Sequence, residues 1–218
     1  MEQDVHEYEG TDITVSFDVK RCIHARECVK GLPAVFDKNK RPWIEPENAD
    51  ADDLAAVITR CPTGALHFER KDGGWEETPD DENTIEVTHD GPLYVRGTVE
   101  ITDEDGTLLL PDTRLALCRC GASENKPLCD NSHLLVDFEA PGSVSEVHEG
   151  GDTESSVLTV TPTRNGPLHA EGAFEIVGQD DGSWSSGDDE WLCRCGGSQN
   201  KPFCDNTHKK IGFTTEEA

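Results

Sequence analysis

The sequence predicts an α+β protein: one small mixed module followed by two copies of a β-rich module. Three observations carry this. A sixteen-residue stretch, CRCGASENKPLCDNSH from Cys118 to His133, returns as CRCGGSQNKPFCDNTH from Cys193 to His208, with twelve positions identical at an offset of 75 residues. Upstream of each copy, short segments alternate apolar and polar side chains in the manner of half-buried strands. The first 70 residues lack the repeat and carry a helix-like pattern between strand-like segments. Module boundaries are expected at 1–78, 79–145 and 146–218.

Residues 11–17, TDITVSF, form the first predicted strand. In RCIHARECVKGLPAVF, Cys22 and Cys28 stand six apart and Pro33 ends any short helix between them. Past Arg41-Pro42-Trp43-Ile44, Asn48 or Asp50 caps a helix through Arg60 whose apolar face is Leu54, Val57 and Ile58. That helix delivers Cys61-Pro62, Thr63-Gly64 turn the chain, and ALHFER returns as a strand. RKDGGWEETPDDEN, from Arg70 to Asn83, has no periodicity and is rich in Gly, Pro and acid, as a linker is. TIEVT (84–88) then alternates as a strand, and Gly91-Pro92 turn into LYVRGTVEI. The same elements return at VLTVT (157–161) and LHAEGAFEI, so that Gly91, Pro92, Leu93, Gly97, Glu100 and Ile101 match Gly166, Pro167, Leu168, Gly172, Glu175 and Ile176. The repeat continues to Phe138 and Phe213. Each copy is expected to hold two strands, an acidic loop and a cysteine-bearing loop, with Glu139 to Ser156 as the connector.

Composition narrows the function. Only 34% of the 218 residues are hydrophobic, so any cores are small and a metal or cluster is a natural staple. Nine Cys is an odd number, which argues against a closed disulfide framework. No leader is expected before the first module, and the thiols are expected to be reduced and cytoplasmic. A net charge of -26 disfavours nucleic acid and anionic membranes as partners. It fits a halophilic source, because a Debye length of about 3 Å at 1 M salt removes most self-repulsion. No apolar run approaches the roughly 20 residues that span a bilayer.

Three Cys and one His at fixed spacing make a complete four-ligand metal set. In the first copy these are Cys118, Cys120, Cys129 and His133; in the second, Cys193, Cys195, Cys204 and His208. Zinc accepts such a set, but C-x-C is tight for two ligands of one tetrahedral zinc. On a 2Fe-2S cluster the residues divide into two per iron, which the spacing fits better. At these residues the chain resembles the CDGSH iron-sulfur domain family, matching its pattern also at Ser123, Pro127, Asp130 and Ser132, and at Ser198, Pro202, Asp205 and Thr207. Asn131 and Asn206 stand where the family has Gly; Asn is the non-Gly residue that best tolerates positive φ. The resemblance implies a homodimer fold with a shared β-cap, and a tandem copy therefore implies an intramolecular pseudo-dimer. Asp130 and Asp205 precede the His by three, the N-cap spacing of a short helix. Lys126 and Lys201 are candidates to donate to the cluster or its His, or to be solvated; Ser123 and Ser198 to bond the loop or a bridging sulfide.

Cys22, Cys28 and a distant Cys61-Pro62 outline a single-cluster bacterial ferredoxin with Ala25 at the middle Cys position. Residues 10–70 resemble the divergent single-cluster 4Fe-4S ferredoxin family, through Cys22, His24, Ala25, Cys28, Trp43, Ile44, Cys61, Pro62, Gly64, Ala65 and Leu66. Three thiolates hold a 3Fe-4S cluster; a 4Fe-4S form needs a fourth ligand from His24, another side chain or solvent, and His24 is otherwise a hydrogen-bond donor or a surface residue. His6, His67, His89, His148 and His169 lack partners at ligand spacing.

All nine Cys are thereby assigned, three to each of three clusters. His133 and His208 remove thiolate charge and should raise the potential of their clusters, and should bring potential and cluster retention under pH control. The expected function is a three-cluster electron carrier working with a redox partner protein, monomeric with its internal pseudo-dimer. The alternatives are cluster transfer to an apo iron-sulfur acceptor with redox or pH sensing, and a zinc-stabilised interaction module. No nucleophile with a base, phosphate-binding loop or dinucleotide fingerprint is present, so no enzyme is expected.

Overall fold

The computed structural model describes residues 3–149 and 156–215. The chain divides into two compact units, one ending at Thr78 and the other beginning at Pro79.

The first unit is a three-stranded antiparallel sheet with two helices. Its strands are β1 (Val5–Glu9), β2 (Ile13–Asp18) and β3 (Leu66–Arg70), in the order β1-β2-β3. The alternation read in 11–17 places Ile13, Val15 and Phe17 in the core. β1 was not expected: its side chains are largely exposed, and it exists through pairing with β2 rather than through its own pattern. Helix α1 (Glu27–Gly31) stops before Pro33. Helix α2 (Ala51–Ile58) is capped by Asp50, whose carboxylate accepts from the Asp52 amide at 2.9 Å, and it buries Leu54, Val57 and Ile58 as its spacing requires. Trp43 closes the core edge-on to Phe17, with ring centroids 4.8 Å apart. The expected linker is tied at its start: Trp75 packs edge-on against Phe68 and Glu77 pairs with His67.

The second unit holds both repeats in one six-stranded sheet. Each repeat contributes three strands rather than the expected two: β4 (Thr84–Val87), β5 (Leu93–Thr102) and β6 (Leu108–Leu117), then β7 (Leu158–Pro162), β8 (Leu168–Gly178) and β9 (Trp184–Leu192). The acidic loops are thus partly strands. LLLPDTRLAL contains a proline and WSSGDDEWL is acidic, so neither announces itself; antiparallel pairing along β5 and β8 overrides weak local propensity.

The repeats exchange strands. β5 pairs antiparallel with β4 through residues 93–96 and parallel with β7 through 99–101, while β8 pairs antiparallel with β7 and parallel with β4. Gly97 and Gly172 sit at register shifts of β5 and β8 with φ of +121° and +114°, and a Cβ at Gly97 would stand 2.2 Å from Asn83 Oδ1. Only glycine fits there. Asn83 itself donates to the carbonyls of Ser156 and Ala173 and accepts from the Thr98 amide. One core results, with Ile85, Leu93, Ile101, Leu158, Leu168 and Ile176 from both repeats.

The connector between repeats is laced onto the sheet as far as it is described. Ala140 donates to Asp90, Gly142 to Asp180 and Val144 to Ser183, at 2.7–2.8 Å. Residues 150–155 of the expected connector lie outside the described residues.

Candidate metal centres

Each repeat delivers its candidate ligands from the end of its third strand. β6 runs into Cys118, and the chain folds back so that Cys118 N donates to Pro127 O at 2.8 Å and Cys129 N to Ala116 O at 2.8 Å. In the second repeat β9 does the same, with Cys193 N on Pro202 O and Cys204 N on Trp191 O, both at 2.7 Å. Two cysteines eleven residues apart are thereby held in register by backbone bonds.

The side chains come together in pairs. Cys118 Sγ lies 3.7 Å from Cys120 Sγ, and Cys129 Sγ lies 3.5 Å from His133 Nδ1. The second repeat gives 3.9 Å for Cys193 and Cys195 and 3.5 Å for Cys204 and His208 Nδ1. Two ligands on one tetrahedral metal with bonds of about 2.3 Å stand about 3.8 Å apart. Among the described residues, no three His, Cys, Asp or Glu side chains gather around one metal position.

Backbone donors offset part of the cost of burying anionic sulfur. The amides of Ala122 and Asn131 point at Cys120 and Cys129 at 3.5 Å, and those of Gly197 and Asn206 at Cys195 and Cys204 at 3.4 Å. Within each C-x-C pair the mutual hydrogen bond, chiefly, lowers one thiol and raises the other. Burial pushes Cys129 up to about 12. A bound cation therefore has to displace protons, and loading releases them. Burial also pushes His133 and His208 down, which favours the neutral imidazole that a metal needs. His208 is buried, whereas His133 is half-buried.

The loop residues take defined parts. Asn131 and Asn206 adopt φ of +75° and +66°, the left-handed conformation expected of them. They, rather than Asp130 and Asp205, open the short helical turns, a 3-10 turn at Ser132–Leu134 and helix α3 (Thr207–Ile211). Each Asp acts one step earlier, as an Asx turn: Asp130 accepts from Ser132 and Glu124, and Asp205 from Thr207 and Gln199, at 2.8–2.9 Å. Ser123 and Ser198 hydroxyls donate to Leu128 O and Phe203 O. Lys126 and Lys201 donate to the carbonyls of Ser123 and Ser198, not to a ligand His.

Arg119 and Arg194, each between two ligand cysteines, escaped notice in the sequence. Arg119 is 1% exposed and donates to the carbonyls of Gly91, Thr88, Pro141 and Ala140, beneath the ring of Phe138 at 5.3 Å. Arg194 reaches Gly166 O and Thr163 O beside Phe213. Burial pulls both down to about 10, which leaves them charged at neutral pH. Their identity in both copies was the available signal.

In the first unit, Cys22 follows a 3-10 turn, Cys28 lies in α1 and Cys61 follows α2; all three are half-buried. Burial, then the nearby Cys61, raises Cys22, and burial pushes Cys28 up to about 11. His24 has φ of +56° and places Nδ1 3.8 Å from Cys22 Sγ, a spacing that fits a hydrogen bond to sulfur and equally two ligands on one metal. The other five histidines each face a carboxylate: His6 Asp4, His67 Glu77, His89 Asp180, His148 Glu190 and His169 Asp189. No helix is long and apolar enough to cross a membrane, among the described residues.

Comparison with known proteins follows the same division. Residues 8–71 match the family described as a divergent 4Fe-4S mono-cluster, and residues 90–134 and 165–209 each match the iron-binding zinc finger of CDGSH type. The uncharacterized protein YjdI of Escherichia coli K12 is 38% identical over 64 residues, covering 29% of this chain and 84% of that protein. Its counterpart in Escherichia coli O157:H7 matches to the same extent. No solved structure matches. The chain is an iron-sulfur protein that belongs to the divergent 4Fe-4S mono-cluster family in its first unit and, twice over, to the CDGSH family in its second.

Proposed function

We propose that the protein is an electron carrier holding three clusters: 2Fe-2S on Cys118, Cys120, Cys129 and His133, 2Fe-2S on Cys193, Cys195, Cys204 and His208, and 3Fe-4S or 4Fe-4S on Cys22, Cys28 and Cys61. The observation that carries it is the pairing of ligands at 3.5–3.9 Å, two per iron, in both repeats. When bound, the clusters supply one-electron chemistry. The chain's part is to hold them and set their charge. His133 and His208, as imidazoles in place of thiolate, would hold their clusters at less negative charge and so at higher potential than the all-thiolate site of the first unit, which would favour electron flow toward the pair. The exchange of β4 and β7 between β5 and β8 supports an intramolecular pseudo-dimer under one β-cap; in this reading the protein is a cytoplasmic monomer that serves a redox partner.

Cluster transfer is the second reading, favoured by one feature. Leu134, Leu135 and Val136, directly after His133, are 67%, 84% and 52% exposed. Three consecutive exposed apolar side chains beside a protonatable ligand suit docking of an apo acceptor. Replacing them with Ser should slow loss of 2Fe-2S absorbance to an apo-ferredoxin and leave electron transfer to a small-molecule acceptor unchanged.

The deciding measurement is iron, acid-labile sulfide and zinc per chain on protein purified anaerobically in high salt, with EPR of oxidised and reduced samples. About seven or eight irons support three clusters. Zinc with little iron overturns the redox readings and leaves a structural module.

A further inference from the structure

The two CDGSH ligand loops touch through their backbones. Gly121 directly follows the ligand Cys120 at φ +83°, and a Cβ there would stand 2.8 Å from Cys195 O. Gly196 directly follows Cys195 at φ +77°, and a Cβ there would stand 2.6 Å from Cys120 O. Bonded side chains do not approach so closely, so any residue other than glycine at either place would push the loops apart. The contact is reciprocal: the peptide after each ligand lies against the peptide of the other. It is braced from the side, because the ring of Phe138 in the first repeat faces both Arg119 of its own repeat and Lys201 of the second, at 5.3 Å and 5.9 Å.

Positive φ alone does not account for these glycines. Asn131 and Asn206 hold the same left-handed conformation in the same loops with side chains present. What sets positions 121 and 196 apart is what stands in front of them. A loop that only had to hold four ligands would have no need to lie against the other loop at the residue following its second cysteine.

We propose that the two CDGSH centres are one electronically coupled pair, in which an electron passes directly from one to the other across the contact between Cys120-Gly121 and Cys195-Gly196. The inference rests on the reading that both repeats bind 2Fe-2S. The path runs through the bonds of Cys120 to its carbonyl, across one van der Waals contact to Gly196, and through the bonds of Cys195 to its sulfur. Tunnelling weakens far more across empty space than along bonds, and this path has a single short gap. The step balances without a co-reactant: one electron leaves the reduced centre and reaches the oxidised one, with no proton or ligand exchanged. An electron accepted at either repeat is thereby shared, and a partner docking at one can draw on both.

The test is EPR of the loaded full-length protein titrated with dithionite to half and to full reduction. It is repeated in a Cys61→Ser background, so that the first unit's cluster is not mistaken for the partner spin. The expected result is a 2Fe-2S signal that broadens or splits as the second electron enters. That splitting should be lost in Cys204→Ser, which disables one site, and weakened in Gly121→Ala with Gly196→Ala. If the glycine variant fails to fold, the comparison of half-reduced with fully reduced native protein still decides. Two sharp, additive 2Fe-2S signals at full reduction overturn the coupling and leave the cluster assignment standing. Absence of any 2Fe-2S signal overturns the assignment and the coupling with it.

Discussion

The imidazole of His148 lies flat against the ring of Phe203, with centroids 4.3 Å apart, and Phe203 immediately precedes the ligand Cys204. His148 belongs to the connector between repeats, and its Nδ1 is 2.5 Å from Glu190 Oε1 on β9. The connector thereby clamps the second cluster loop from outside.

This clamp should respond to pH. The hydrogen bond to Glu190, chiefly, raises His148 above its ordinary value. A base raised on folding contributes stability that is fully present below its unfolded value of about 6.5 and is lost as pH rises through the folded value. Loaded native protein should therefore retain visible absorbance longer than His148→Gln at about pH 5.5, and the difference should shrink by about pH 8.5. The ligand histidines are common to both proteins, so their titration cancels in the comparison.

Arg119 should matter more to stability than Arg194. Truncation to Ala leaves the carbonyls of Gly91, Thr88, Pro141 and Ala140 without their guanidinium. Ala140 O keeps the Asp90 amide and Pro141 is exposed, so with about 1–3 kcal/mol for each of the buried carbonyls of Gly91 and Thr88, Arg119→Ala should cost about 2–6 kcal/mol in urea unfolding of the loaded protein. Arg194→Ala, with Gly166 O and Thr163 O at stake, should cost less. Arg119→Lys keeps the charge without the planar fork and should fall between.

The left-handed asparagines make opposite predictions for two substitutions. At φ of +75°, Asn131→Gly relieves strain and should slow cluster loss slightly. Asn131→Val puts a β-branched residue there and should cost about 1–2 kcal/mol in thermal unfolding of the loaded protein. The same order should hold at Asn206.

In the first unit, His24→Ala and Cys61→Ser should separate. His24 Nδ1 stands 3.8 Å from Cys22 Sγ, a spacing that fits a donor to sulfur and equally a second ligand on one iron. Removal of a donor should leave the iron count unchanged and lower the cluster's potential, since hydrogen bonds to sulfur favour the reduced form. Cys61→Ser should lose the cluster. Loss of one iron in His24→Ala would instead mark His24 as a ligand.

Much of the candidate site was legible because it is local. Cys118, Cys120, Cys129 and His133 lie within sixteen residues, and their spacing alone states which pairs can share an iron. The strands β2, β4, β5, β7 and β8 were legible for a similar reason: one buried face writes itself as alternation. β6 and β9 were not, because proline and acidic residues blur the pattern and pairing with β5 and β8 supplies what propensity lacks.

The sequence by itself determined the repeat and the candidate ligand sets, since spacing along a chain limits what a short loop can bring together. Only the tertiary structure decided that β4 pairs with β8 and β7 with β5, that Arg119 spends its donors on carbonyls 21–31 residues away, and that Gly121 faces Cys195. Those relations join segments with no local periodicity in common. They arise from the physical need of two small halves, each poor in apolar side chains, to bury one core between them.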